Sequence, residues 1–182
     1  SDLGLIQKNA NRLLRVINQI LDFRKVEGKQ EKLAVREIDL VPFVGEIKSY
    51  FDSMASVRAI AYTFTSSIKQ CTLWIDPDLL EKVFVNLLSN AFKFTPEGGT
   101  ISVTLSLRLE KEGENKLVIE VSDSGIGIPA DKQGAIFDRF YQVSSPDKGN
   151  PVVGTGIGLH LCREFVRMHH GTITVKSEPG AG

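Results

Sequence analysis

Two asparagines and a lysine recur on one side of an amphipathic segment. Asn86, Asn90 and Lys93 have the spacing i, i+4, i+7, which puts them on one stripe of a helix. Buried polar groups need partners, and a nucleotide triphosphate with Mg²⁺ supplies them, because amide oxygens suit Mg²⁺ and lysine suits phosphate. Alternatively, the two asparagines lie on a solvated face.

This segment predicts a helix over about residues 78–94. Asp76 can cap it and Pro77 fits its first position. Its apolar arc consists of Leu80, Val83, Phe84, Leu87, Leu88 and Ala91.

An aspartate follows an alternating strand. Leu117, Ile119 and Val121 alternate with polar or smaller residues, and Asp123 comes at the end with Gly125 and Gly127 behind it. A carboxylate can accept a hydrogen bond from the adenine amino group but repels the guanine carbonyl. Glycines let the backbone approach a flat base closely. A plain turn explains the same residues.

Three glycines open a later amphipathic helix. Gly154, Gly156 and Gly158 precede a face of Leu161, Phe165 and Met168. Free N–H groups at such a helix start suit phosphate. No lysine follows as in the P-loop, and no strand leads directly in as in the dinucleotide fingerprint.

A long loop separates the last two runs. Residues 128–153 carry three prolines and two glycines, and a loop of this length predicts a lid over a nucleotide. Within it we expect Phe137 and Phe140 to anchor the loop and Arg139 to reach phosphate. A short helix that pins the loop to the core is the simpler interpretation.

Together these runs resemble the ATP-binding domain of sensor histidine kinases, a family grouped with DNA gyrase B, Hsp90 and MutL. Asn86 to Thr95 resembles its N box, Asp123 to Gly127 its G1 box, Phe137 to Tyr141 its F box and Gly154 to Leu159 its G2 box. The resemblance implies that ATP and Mg²⁺ are the cofactors. It assigns the catalytic roles to Asn86, Lys93 and Arg139, the metal to Asn90 with Asn86 assisting, and nucleotide binding to Asn86, Asn90, Lys93, Phe94, Asp123, Gly125, Gly127, Phe140, Gly154, Thr155, Gly156, Gly158 and Leu159.

One position separates members of this group chemically. ATP-hydrolysing relatives resemble one another in carrying a glutamate four residues before the metal-binding asparagine. Here that position is Asn86, and an amide cannot accept a proton at neutral pH. This favours γ-phosphoryl transfer to a histidine. The alternatives are a degenerate nucleotide-binding dimer scaffold and a gyrase-like ATPase.

The N-terminal segment carries a heptad seam of Leu3, Ile6, Ala10, Leu13, Ile17 and Ile20, widened by Leu14 and Leu21. It predicts a homodimer through this helix, unless the seam packs only on its own domain. Residues 1–28 resemble the second helix of the family's dimerisation and phosphoacceptor hairpin, followed by the catalytic domain at 29–182. The resemblance implies a histidine on the first hairpin helix, which we expect to be missing from a fragment. We therefore expect no self-phosphorylation, and a response regulator or receiver domain as partner.

Composition narrows the class of protein. Lys+Arg and Asp+Glu are both 22 in 182 residues, so no basic field favours nucleic acid. Cys71 and Cys162 lack metal-type spacing. No apolar stretch is long enough to span a membrane, so we expect a cytoplasmic domain whose parent is membrane-anchored only through an upstream segment.

Strands and helices mix without regular alternation, which predicts an α+β, two-layer sandwich: a mixed sheet covered on one face by about three helices. We expect strands near 60–65, 73–75, 101–107, 117–122 and 172–176, a possible short strand within 28–39, and a helix near 41–57.

Overall fold

The protein, described here from a computed structural model, divides into two compact units. The structure describes residues 2–28, 32–109, 115–142 and 155–182. We call Ala34–Gln133 with Thr174–Gly182 the sheet unit, and Ser1–Leu33 with Gly134–Ile173 the helical unit.

The sheet unit contains all of the assigned strands. They are β1 (Arg36–Asp39), β2 (Ala61–Ser66), β3 (Thr72–Ile75), β4 (Thr100–Leu109) and β5 (Asn115–Asp123). Its helices are α2 (Leu40–Ser49), α3 (Asp52–Val57), α4 (Pro77–Phe94) and the short α5 (Ala130–Gln133). The helical unit contains α1 (Asp2–Glu27) and α6 (Gly158–Met168).

The main sheet is mixed, as predicted. Its order is β2-β4-β5, with β2 parallel and β5 antiparallel to β4. The register sets Asp123 opposite Ile101, so the last residue of β5 lies beside the start of the central strand. A separate antiparallel ribbon pairs β1 with β3, which confirms the possible strand within 28–39. The α+β class is confirmed.

Helix α4 begins and ends almost where the sequence placed it. Asp76 is 4% exposed and caps the helix by accepting a hydrogen bond from Leu79 N at 3.0 Å. The apolar arc is largely buried, with Phe84, Leu88 and Ala91 in the core alongside residues of α2 and β4. Burial of this arc leaves the polar stripe of α4 on the other side.

The single helix predicted near 41–57 was wrong, because two helices occupy that range. The chain tightens at Tyr50 and Phe51, whose N–H groups donate to carbonyls only three residues earlier. The second helix then starts at Asp52. Phe51 is buried in the core, whereas Met54 is 47% exposed, because the break turns the second helix away from the face of the first.

The strand predicted at 172–176 was also wrong, since the structure assigns none there. Side chains rather than a backbone ladder connect this end of the sheet unit. Ser177 Oγ accepts from Ile128 N at 2.8 Å, and Gln133 Nε2 donates to Ser177 O at 2.7 Å. The turn at residues 110–114 lies outside the described residues.

The helical unit ends α6 with a left-handed residue. His170 has φ +59°, its N–H donates to Arg167 O, and Gly171 N donates to Val166 O. These bonds satisfy carbonyls of the last turn. Across the described parts of the chain, no helix combines the length and the apolarity that a bilayer crossing requires.

We predict that Asp76→Ala lowers the free energy of unfolding by about 1–3 kcal/mol. The change removes the cap on Leu79 N and a second hydrogen bond, which Ala34 N donates at 2.7 Å. Urea denaturation followed by circular dichroism measures it.

The matched control is Asp78→Ala, two residues along the same helix. Asp78 is exposed and pairs with exposed Arg36 at 3.3 Å, so its loss should cost about 0–1 kcal/mol. Equal losses in both variants would contradict the role assigned to the Asp76 cap.

Candidate functional site

The predicted polar stripe is present on α4. Asn86 and Asn90 are half-buried, and Lys93 is exposed in the last turn. Asn86 Nδ2 donates to Lys82 O at 2.9 Å, which orients the side-chain amide. Lys93 Nζ lies 4.6 Å from the centroid of the Phe94 ring. The stripe therefore presents two amides and one cation at the C-terminal half of the helix.

Asp123 is held by its own loop. Its Oδ1 accepts a hydrogen bond from Gly125 N at 2.9 Å. Ser124 fixes the same loop to β4, since Ser124 Oγ accepts from Thr100 N at 2.8 Å and Ser124 N donates to Thr100 O at 3.0 Å. The half-buried carboxylate is thus kept at the end of β5 in one orientation.

The end of α4 touches this loop at Gly125. A methyl group added to Gly125 would lie 2.5 Å from Asp123 Oδ1 and 2.9 Å from the carbonyl oxygen of Phe94. Only glycine fits between them. The structure therefore brings together Phe94, Asp123 and Gly125, which the sequence placed in two separate motifs.

Gly127 is constrained for a different reason. Its φ is +67°, and an added methyl would lie 2.0 Å from the carbonyl oxygen of Glu178. Ile126 lies between the two glycines and is 59% exposed. Phe94, at the end of α4, is 38% exposed. No role was predicted for Ile126 from the sequence, although an apolar residue flanked by required glycines could have indicated an exposed apolar contact.

The donors available for a metal ion are mainly amide oxygens. No group of three or more His, Cys, Asp or Glu side chains that could hold an ion occurs within the described ranges. Asn86 and Asn90 lie one helical turn apart on one stripe. Such a pair fits Mg²⁺ that is carried mostly by phosphate oxygens and water, because Mg²⁺ takes few protein ligands.

In the helical unit, Arg139 and Phe140 contact the end of α1. Arg139 Nη1 donates to Glu27 Oε1, and its guanidinium carbon lies 5.4 Å from the Phe23 ring centroid. Phe140 is 62% exposed and meets Phe23 edge-on, at 5.9 Å between centroids. Phe137 is buried as expected. Phe140 therefore anchors against α1 rather than in a buried core, and the sequence did not predict the contacts of Phe23 and Glu27.

The described part of the glycine-rich run is tightly fitted. Gly156 has φ +68°, and an added methyl would lie 2.6 Å from the carbonyl carbon of Phe140. Phe140 itself has φ +60°, and its N–H donates to Gly156 O at 3.0 Å.

Thr155 Oγ1 donates to Gln19 Oε1 at 2.8 Å and accepts from Ile157 N at 3.3 Å. Gly158 and Leu159 form the first turn of α6. Gly154 lies outside the described residues, as do residues 143–153 of the lid predicted at 128–153.

The three histidines are all placed in or after α6. His160 is 4% exposed, and burial lowers the pKa of its imidazole. The Nδ1 atom of His169 lies 2.8 Å from Phe165 O, and His170 occupies the left-handed cap. Cys162 is fully buried, and burial raises the pKa of its thiol to about 12, which makes it unreactive.

Comparison with known proteins identifies the fold. The full-length protein ShkA, solved in complex with AMPPNP, superposes with a TM-score of 0.80 at 23% identity, covering 98% of this chain and 36% of that one. Histidine kinase ThkA, solved in complex with the response regulator protein TrrA, gives 0.73 at 22% identity, covering 98% and 47%.

Sequence similarity extends over nearly the whole chain. The sensor histidine kinase TmoS of Ectopseudomonas mendocina is 40% identical over 179 residues, which are 98% of this chain and 18% of TmoS. The chain thus spans less than a fifth of that relative's length. The profile of the histidine kinase-, DNA gyrase B- and HSP90-like ATPases matches residues 75–182, from the end of β3 onward. The chain therefore belongs to this ATPase family, and the relatives that it matches include sensor histidine kinases.

Proposed function

We propose that this chain is the ATP-binding catalytic region of a sensor histidine kinase, which presents Mg-ATP for transfer of its γ-phosphoryl group to a histidine. The observation that carries this proposal is the junction of Phe94, Asp123 and Gly125, next to the amide pair of α4. At this junction the Asp123 carboxylate is held in one orientation, the backbones of Phe94 and Gly125 approach closely, and Phe94 is partly exposed, which together suit a flat base with an amino group.

Asp123 would read adenine. Oδ1 already accepts from Gly125 N, so Oδ2 is the oxygen better placed to accept from the exocyclic amino group. Guanine presents a carbonyl oxygen at that position, and carbonyl and carboxylate oxygens repel. Phe94 and Ile126 would contribute apolar contacts to the base.

Asn90, assisted by Asn86, would hold Mg²⁺ through side-chain oxygens, and Lys93 would pair with phosphate. When bound, the ion would neutralise charge on the phosphates. Arg139, Thr155, Gly156, Gly158 and Leu159 keep their predicted roles in phosphate binding. Since Arg139 pairs with Glu27 in this structure, that role requires the guanidinium to exchange partners.

The transfer breaks the bond between the γ-phosphorus and the bridging oxygen of ADP and forms a bond to a histidine nitrogen. Such reactions depend on positioning and charge stabilisation rather than on a protein base for water. Asn86 supports transfer over hydrolysis, because its amide cannot activate water by removing a proton.

In this proposal the acceptor is none of the three histidines in this chain. His160 is buried, the Nδ1 atom of His169 lies 2.8 Å from Phe165 O, and the backbone of His170 forms the left-handed end of α6. We place the acceptor on the first hairpin helix of the parent protein. A response regulator or receiver domain would then take the phosphoryl group, in line with the complex of ThkA with a response regulator.

We predict that calorimetric titration detects ATP binding that is strengthened by Mg²⁺, with GTP at least ten-fold weaker (about 1.4 kcal/mol). Asp123→Ala should weaken ATP about 10- to 150-fold, because a hydrogen bond to a charged group contributes about 1.5–3 kcal/mol.

Asp131→Ala is the control for this titration, since Asp131 is an exposed carboxylate on α5 and has no proposed contact with the base. Circular dichroism establishes that each variant is folded. Absence of ATP binding by the unaltered chain would refute the proposed function, and equal affinities for ATP and GTP would refute the role of Asp123.

We predict that Asn90→Ala abolishes most of the strengthening by Mg²⁺ and changes ATP affinity in EDTA by less than about three-fold, because the amide serves the ion rather than the base. The measurement is the ratio of the dissociation constant for ATP in EDTA to that in the presence of Mg²⁺. Asn115→Ala, an exposed asparagine at the start of β5, should leave that ratio unchanged. A retained Mg²⁺ effect in Asn90→Ala would exclude Asn90 as a ligand.

We further propose that the chain dimerises through α1. Six large apolar residues of this helix are each at least 44% exposed: Ile6, Leu13, Leu14, Ile17, Ile20 and Leu21. Their spacing is that of a heptad seam, which a second copy of the same helix can bury. The occupant is therefore a second copy of this chain.

We predict that Ile17→Glu shifts the chain toward monomer in sedimentation velocity and raises the dimer dissociation constant by at least about ten-fold, because a charge would be buried in the seam. Val57→Glu is the control, since Val57 is 83% exposed on α3, outside the seam. A chain that is monomeric at all accessible concentrations would refute the proposed dimer.

A further inference from the structure

Arg58 contacts the end of α4 from a distant part of the sequence. It is the residue that ends α3, and its guanidinium is half-buried. Nη1 donates to Phe92 O and Nη2 donates to Thr95 O at 2.6 Å. Those two carbonyls lie 34 and 37 residues further along the chain. One side chain thus binds the backbone on both sides of Lys93 and Phe94.

The contact has a clear electrostatic reason. The last carbonyls of a helix lack intrahelical partners and carry the negative end of its dipole, so a cation there is favourable. The planar guanidinium can donate to two carbonyls at once, which a lysine ammonium does less rigidly.

The main chain of Arg58 adds a third attachment. Its carbonyl oxygen accepts from Gly98 N at 3.1 Å, just beyond the helix. Phe51 also stacks on Phe92, with centroids 5.4 Å apart and ring planes within 10°. The segment from Phe92 to Gly98 is therefore held from the α3 side at three backbone positions.

The residues enclosed by this attachment are those of the proposed adenine contact. Phe94 lies between the two bonded carbonyls, and its own carbonyl oxygen closes on Gly125 with no space for a methyl group. Gly125 in turn donates to Asp123. Because packing here tolerates little displacement, the position of the last turn of α4 sets the position of Phe94 relative to the Asp123 carboxylate.

We propose that Arg58 is a positioning residue for nucleotide binding: it fixes the last turn of α4 so that Phe94 and Asp123 meet the base together. The inference rests on the proposed function, because it concerns the same adenine contact. Arg58 itself touches neither the base nor the phosphates in this proposal. It acts through the backbone of α4.

The test compares Arg58→Met, Arg58→Lys and Arg36→Met by calorimetry with ATP and GTP. Methionine retains much of the aliphatic stem without the donors, and we expect about ten-fold weaker ATP binding with a smaller preference for ATP over GTP, as expected for a misplaced contact. Lysine retains the charge and part of the hydrogen bonding, so it should recover part of the affinity and of the preference. Arg36 is an exposed arginine paired with Asp78, and its loss should change neither.

A double-mutant cycle distinguishes positioning from general destabilisation. If Arg58 acts through Phe94, Arg58→Met should weaken ATP binding much less in a Phe94→Ala background than in the unaltered chain. Additive losses would overturn the inference, since they would mean that Arg58 acts independently of Phe94. Titrations are made at a temperature where circular dichroism shows every variant folded.

The outcomes separate the two proposals. If the unaltered chain does not bind ATP, the proposed function fails. If it binds ATP and Arg58→Met binds with equal affinity and selectivity, this inference fails while the proposed function stands. If Arg58→Met does not fold, Arg58→Lys decides: a several-fold loss with reduced selectivity supports positioning, and unchanged binding overturns it.

Discussion

The arrangement of the sheet unit depends on one constraint: α4 must bury an apolar arc while it carries a polar stripe that remains accessible. Phe84, Leu88 and Ala91 belong to the same core as β4, so the helix cannot rotate without exposing them. That fixed rotation sets the direction of Asn86, Asn90 and Lys93. The apolar core therefore determines where the polar chemistry lies, and the cap at Asp76 determines where the helix starts.

The second requirement is close approach of backbone at the far end of the same helix. The carbonyl of Phe94, the N–H of Gly125 and the carboxylate of Asp123 fit together only because no side chain lies between them. Glycine provides this space, and the pairing of β5 with β4 keeps Asp123 at the correct level. The Asp123 carboxylate thereby lies beside closely packed backbone at the end of α4, which suits the proposed recognition of a flat base with an amino group.

In the helical unit, the side chains with predicted phosphate-binding roles contact other side chains. Residues with predicted roles toward phosphate are occupied within the unit: Arg139 by Glu27 and Thr155 by Gln19. The Arg139–Glu27 ion pair is partly exposed, and such pairs contribute little stability, so exchanging Glu27 for a phosphate would cost little. Phe140 and Gly156 both have positive φ angles, and one backbone hydrogen bond joins them. A conformational change of either residue must therefore involve the other.

The sequence by itself determined the motifs, the α+β class, helix α4 and most of the strands, because periodicity, capping residues and glycine spacing are local signals. It correctly placed Asp76, Asp123 and the apolar arc. Only the tertiary structure decided that 41–57 breaks at Tyr50, that 172–176 is not a strand, and that Arg58 binds the end of α4. These outcomes depend on which backbone groups find partners far away in the chain. The residues around Arg58 and Glu27 do not indicate which groups these two side chains bind, since the partners lie 34 to 112 residues away.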